Sequence, residues 1–165
     1  MALSTLTKRS QIWSIDLMIA AVIFLTALLF FFRYSINNIN PENREIDNLL
    51  LESKLISSYL VSEGYPPGWT AGDVTLIGLT DGNMELDPDK VESFKALSYP
   101  ESRKLLSTAH DYYVFFEDKD NNTISIKGVE WIGKDYTAED PDNVIKIVRF
   151  VNYNSTIIKM MVYVW

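Results

Sequence analysis

Residues 8–36 read KRSQIWSIDLMIAAVIFLTALLFFFRYSI, and the architecture of the chain turns on them. From Leu17 to Phe32 only Thr26 is polar. At about 1.5 Å per residue that run makes roughly 24 Å of helix, and the flanks Gln11 to Asp16 and Arg33 to Ser35 carry it past a ~30 Å hydrocarbon core. One membrane span is predicted, over residues 11–35. Asp16 sits just inside its start, where an ionised carboxylate in lipid costs about 2.5–3.5 kcal/mol. An acid kept there needs a cation to meet it or a task to perform.

Charge orients the span. Lys8 and Arg9 are the only charged residues among the first ten, which leaves 13 basic against 22 acidic residues, net −9, for the remainder. Basic residues before a first span favour the cytoplasmic side, so everything after Asn37 is expected outside. So acidic a body argues against nucleic acid as a partner. The chain has no cysteine, which excludes disulfides and thiolate metal sites and leaves an external domain to rest on its own core. No cofactor is expected, since no phosphate-cradling glycine loop, thiol nucleophile or metal cluster is present in the sequence. An enzyme is accordingly not the reading.

A removable secretory signal would end its apolar core at a small-residue cleavage site. Here the run ends in Phe30, Phe31, Phe32, Arg33 and Tyr34, with no such site. Lys8-Arg9-Ser10-Gln11 followed directly by an apolar helix with an early acid resembles instead the class III signal peptide of archaeal type IV pilin-like proteins. In that family a membrane-embedded prepilin peptidase cuts before the apolar segment and leaves it on the mature protein. The resemblance implies a leader over residues 1–10, cleavage between Ser10 and Gln11, and a role for Asp16 in pairing with a terminal amine during filament assembly. Two departures stand out: the family's early acid is commonly a glutamate at the fifth mature position, whereas Asp16 would be the sixth, and Ser10 replaces the more frequent Gly or Ala.

Beyond the span, Asn37, Asn38, Asn40 and Pro41 form a polar break. Then Ile46, Leu49, Leu50, Ser53, Ile56 and Leu60 recur at helical spacing, an amphipathic helix that Gly64, Pro66 and Pro67 are expected to stop; break and helix together occupy 36–64. Residues 65–165 read as an α+β head. VTLIGL, residues 74–79, is strand-like, and Asp87-Pro88 opens a helix with Val91, Phe94 and Leu97 on one face. Pro100 interrupts it, and ESRKLL begins a second short helix. From Tyr112 the period becomes two: DYYVFFED, NNTISIKGVEWIG, DNVIKIVRFVNY and STIIKMMVYVW are predicted strands of an antiparallel meander packed on the helix. Lys146, Val148 and Phe150 alternate with Ile145, Ile147 and Arg149, so both faces of that strand are partly apolar.

Several residues have the chemistry of a site. Asp118, Asp120 and Asn122 have the spacing of the first ligands of a calcium loop, but Thr123 replaces its turn glycine and Val129 its closing glutamate, so a hairpin turn is expected. His110, the only histidine, is expected to be structural. Glu101, Arg103 and Lys104 read as a solvated helix face. Tyr112, Tyr113, Phe115, Phe116, Trp131, Tyr163 and Trp165 are expected in the core or at a subunit contact, with an adhesive platform as the other reading. Asn121-Asn122-Thr123 and Asn154-Ser155-Thr156 are acceptor patterns for N-linked sugar at Asn121 and Asn154, both on expected turns.

The sequence thus points to a structural subunit of a type IV pilus-like surface filament, with its head outside the cell. Its expected partners are the membrane, the prepilin peptidase, other copies of itself or related pilins, and the pilus assembly machinery. The other reading is an unprocessed, single-pass, membrane-anchored binding protein.

Overall fold

The computed structural model describes residues 4–37, 41–139 and 141–165, with side chains described for 15–36, 44–139 and 141–165. The chain forms two units, one ending at Arg44 and one spanning Glu45–Trp165.

Among its described residues the first unit holds helix α1 (Ser4–Asn37) and residues 41–44, which open the next helix. Its described side chains are exposed along their whole length. The apolar part, Ile15–Ile36, has 22 residues, or about 33 Å of helix, long enough to cross a membrane. Thr26 donates its hydroxyl to the Val22 carbonyl at 2.7 Å, so the one polar side chain of the central run is satisfied within its own helix. The expected polar break at residues 38–40 lies outside the described residues.

The head is α+β. Helix α2 (Pro41–Leu60) buries Leu49, Ser53, Ile56, Ser57 and Leu60, a stripe at three- and four-residue spacing. Ile46, expected on that stripe, is exposed. Ser53 donates to the Leu49 carbonyl at 2.6 Å, which makes a buried hydroxyl tolerable.

The helix stops at Leu60, short of the expected Gly64, and the reason is tertiary. Leu79 N donates to the Leu60 carbonyl at 2.9 Å, Thr80 N to that of Ser62 at 3.1 Å, and Thr80 Oγ1 to that of Val61 at 2.8 Å. Carbonyls that a longer helix would have used are thus taken by residues 79–80. VTLIGL is therefore not a ladder strand; only the isolated pairings Tyr65–Leu76 and Thr80–Leu86 form there. Gly64 and Gly78 cross where no side chain fits: a Cβ on Gly78 would lie 2.3 Å from Gly64 N and 2.4 Å from Ser62 O.

Helix α3 (Pro88–Ala96) has the expected cap, with Asp87 Oδ1 accepting from Asp89 N at 2.9 Å and Lys90 N at 3.4 Å. Val91, Phe94 and Leu97 are buried as expected. Helix α4 (Tyr99–Leu105) takes Pro100 in its first turn, where a missing N–H costs nothing.

The sheet contains β1 (Tyr112–Glu117), β2 (Thr123–Ile124), β3 (Trp131–Gly133), β4 (Ile145–Tyr153) and β5 (Thr156–Val164), all antiparallel. Its order is β2-β1-β5-β4, with β3 also on β1. The expected simple meander is thereby corrected: the last strand is central. NNTISIKGVEWIG is two short strands, because Lys127 and Gly128 adopt positive φ (49° and 83°) and close a tight turn between Ile126 and Val129. Tyr112, Val114 and Phe116 of β1 and Ile158, Met160, Val162 and Val164 of β5 share one face, buried in a single core with Leu49, Ile56, Leu60, Val91 and Phe94.

Candidate functional site

On α1 the backbone is helical through the expected cleavage point between Ser10 and Gln11. The side chains of Lys8, Arg9, Ser10 and Gln11 lie outside the described residues. Asp16 is exposed, one residue into the apolar stretch. The helix begins at Ser4, 12 residues earlier, or about 18 Å along the axis, so the positive end of the helix dipole is too remote to offset the carboxylate.

The outer face of the sheet, opposite the core, is the second candidate. Alternation sends Tyr112 and Phe116 inward, fully buried, and Tyr113 and Phe115 outward. On that outer face Tyr113 packs on Phe115, Trp131 and Tyr136 at ring-centroid distances of 5.3, 5.6 and 5.4 Å, and Tyr163 packs on Phe115 at 5.3 Å. Phe115 and Tyr163 are both buried by this mutual cover. Lys146 Nζ stands 4.6 Å from the Tyr163 ring centroid and Lys95 Nζ 3.8 Å from that of Trp131, the geometry of a cation over a ring. Burial pushes the Tyr113 and Tyr163 phenols up from their ordinary values, with nearby acidic groups adding to it. The cluster covers one half of the face. The other half leaves Val148, Phe150 and Ile157 in water, at 42%, 61% and 62% exposure.

Strand β4 is also the edge of the sheet. Asn152 turns its main chain outward, donating to Met84 O at 2.8 Å and accepting from Leu86 N at 2.7 Å. By two-residue alternation Lys146, Val148 and Phe150 turn theirs outward too, and no main-chain partner meets them among the described residues.

The third cluster ties α2 to the segment before β1. The Glu52 carboxylate accepts from Thr108 Oγ1 at 2.7 Å and Ala109 N at 3.2 Å, and lies 2.9 Å from His110 Nδ1. Burial raises the Glu52 pKa, but these hydrogen bonds outweigh it and hold the carboxyl below its ordinary range. Next to it Asp111 accepts from Tyr99 Oη and Lys134 Nζ, at 2.7 and 2.8 Å, and pairs with Arg103 at 3.2 Å. Burial opposes and these partners win, so Asp111 too is held low. Burial also pushes the Tyr112 phenol up to about 12. His110 lines a cleft of about 220 Å³ with Glu45, Leu49, Asp142 and Trp165, and Glu52 is its side-chain partner. That arrangement orients a loop: the Thr108 hydroxyl donates to Glu52, not to the imidazole as a triad nucleophile would.

Other expectations resolve simply. Asp118 accepts from Asp120 N at 2.8 Å and from Asn122 N and Nδ2 at 2.9 and 3.0 Å, so its oxygens are spent inside a hairpin turn. Among the described residues no group of three potential metal ligands forms. Arg103 does more than solvate a helix face, since it anchors Asp111 and donates to Ala109 O. Sequence reasoning also missed Lys90, which is buried with its ammonium donating to Glu63 O at 2.9 Å and Thr80 O at 2.8 Å. A lysine on the apolar side of a helix that already buries Val91 and Phe94 is the signal that could have found it.

No protein-family model, curated protein or solved structure matches the chain.

Proposed function

We propose that the chain is a structural subunit of a type IV pilus-like surface filament, cut by a prepilin peptidase between Ser10 and Gln11 and assembled through α1. One observation carries the reading. The head owns a closed core, whereas Ile15–Ile36 is exposed over its whole length, so that helix must find its apolar surroundings outside the chain. Lipid supplies them before assembly and the matching helices of neighbouring subunits supply them afterwards. Lys8 and Arg9 favour a cytoplasmic N-terminus, with the acidic head at the cell surface.

Cleavage also gives Asp16 a cation. Cutting before Gln11 moves the helix terminus from about 18 Å to about 7.5 Å from Asp16 along the axis, and creates a free amine there. That amine, or the one on an adjacent subunit, is the partner a membrane carboxylate requires.

The test is intact mass and N-terminal peptide mapping on protein from its source membrane. A chain beginning at Gln11, and filaments by electron microscopy, are expected. A chain beginning at Met1 or Ala2 would replace this reading with an unprocessed, single-pass, anchored head that binds a partner.

A further inference from the structure

Two triplets, Asn121-Asn122-Thr123 and Asn154-Ser155-Thr156, place threonine two residues after asparagine, the acceptor pattern for an N-linked sugar. Both asparagines occupy hairpin tips, Asn121 between β1 and β2 with φ 65° and Asn154 between β4 and β5 with φ 51°. All six residues are exposed. Strand register brings the two tips to one end of the sheet: Glu117 faces both Thr123 and Lys159, and Tyr153 faces Thr156. The opposite end has Tyr112 against Val164 and Val164 against Ile145. There the cleft includes Trp165 and Glu45, the first residue of the head. Both acceptors therefore lie far from where the chain enters the head.

The same end carries the unprotected apolar surface. Phe150 is register partner to Lys159, and Ile157 to Asn152. Lys159 donates to Asn121 Oδ1, which leaves Asn121 Nδ2, the atom that would take a sugar, without a partner among the described residues. Ile157 follows Asn154 by three positions. The two acceptors thus bracket Phe150 and Ile157, Asn121 through Lys159 and Asn154 at the β4–β5 turn. Exposed apolar side chains along an unpaired edge invite strand pairing between copies. A bulky hydrophilic group next to them is one way to prevent it.

We infer that Asn121 and Asn154 carry N-linked oligosaccharides that screen Phe150 and Ile157. The donor is an oligosaccharide on a polyprenyl phosphate carrier. A bond forms between asparagine Nδ2 and sugar C1, the C1–O bond to the carrier phosphate breaks, the amide proton is lost to a base, and the lipid phosphate leaves. The inference rests on the head lying outside the cell.

The test uses full-length protein from its source membrane, mapped by peptide mass, alongside protease accessibility of the head on intact cells. Expected are sugar-bearing peptides at both sites, lost one at a time in Asn121→Gln and Asn154→Gln and retained in Thr123→Ser and Thr156→Ser. The double Gln variant is expected to keep its far-ultraviolet dichroism and to self-associate at least tenfold more readily by light scattering, an effect reversed by adding Phe150→Ser. An accessible head with both peptides bare overturns this inference alone. A sugar-bearing protein whose double variant stays as monodisperse as the parent overturns the screening role. A head protected on intact cells overturns the surface placement, and this inference with it.

Discussion

Replacing Gly78 by alanine tests whether the head closes as described. The added Cβ would lie 2.3 Å from Gly64 N, 2.4 Å from Ser62 O and 2.8 Å from Glu63 C. All three are main-chain atoms, about 1 Å inside normal contact, and none can turn aside as a side-chain end could. Relief requires the crossing strands of chain to part. That would pull Leu79 N from Leu60 O, Thr80 N from Ser62 O and Trp69 Nε1 from Gly78 O, bonds of 2.9, 3.1 and 2.8 Å. Overpacking of this kind costs about 3 kcal/mol or more. With a urea dependence of about 1.5–2 kcal/mol per molar, the unfolding midpoint should fall by about 1.5–2 M. Gly72→Ala is the matched control. Gly72 has nothing within 4 Å of its added Cβ and no positive φ, so the change should be neutral or stabilise by up to about 1 kcal/mol. Urea titration of the full-length protein in detergent, followed by tryptophan fluorescence and far-ultraviolet dichroism, reads both. Equal midpoints for the two variants would refute the crossing and the account of why α2 stops at Leu60.

Acid should loosen the head through Glu52 and Asp111. Their folded pKa values are depressed, so their contribution is full above the ordinary values of 4.5 and 3.8 and is lost as pH falls through the lowered ones. Stability measured against pH should therefore be flatter on the acid side in Glu52→Gln, and Glu52→Ala should lose about 1–3 kcal/mol at neutral pH by stranding its donors; a parallel acid limb in Glu52→Gln would contradict this. Lys90→Met strands the Glu63 and Thr80 carbonyls and should cost about 2–4 kcal/mol, checked by the same titration. Bulky residues at Ser10 and Gln11 should block processing, which gel mobility against the processed parent decides.

What the sequence discloses follows from how local each determinant is. The α1 helix is legible because composition alone forces it, and the Asp87-Pro88 cap because its bonds span three residues. Strands β1, β4 and β5 are legible from alternation. Residues 65–86 are not, since their course depends on two glycines 14 positions apart and on a lysine from another helix. Strand order is equally hidden: the alternation of β5 is the same whether it lies at an edge or between β1 and β4. The aromatics split as the period requires, Tyr112 and Phe116 to the core and Tyr113 and Phe115 outward. That the outward set covers itself could not be read, because Tyr136 joins it from a single 3-10 turn between β3 and β4. Of the candidate site, Asp16 is legible by position alone, since no side-chain partner meets it among the described residues.

Asp16 also sets the balance between the two environments proposed for α1. Leaving Leu, Ile, Val, Phe and Met side chains in water costs about 1.5–3 kcal/mol each, so a helix exposing Ile15–Ile36 has no stable existence in water by itself. Lipid and a bundle of like helices both remove that cost, and by similar amounts, so apolar burial cannot choose between them. The carboxylate can. In lipid it adds up to about 2.5–3.5 kcal/mol, the value at the centre of a span, whereas in the proposed filament the amine of a processed neighbour would offset that penalty. On the proposed reading, with the neighbour's amine as the partner, Asp16 thereby destabilises the unassembled state. Asp16→Ala should keep the protein in the membrane while shifting the equilibrium toward free subunits by up to roughly a hundredfold. Counting subunits in detergent-free membranes against those in sheared filaments measures that ratio. A variant that yields filaments in parental amounts would mean that Asp16 has no part in assembly.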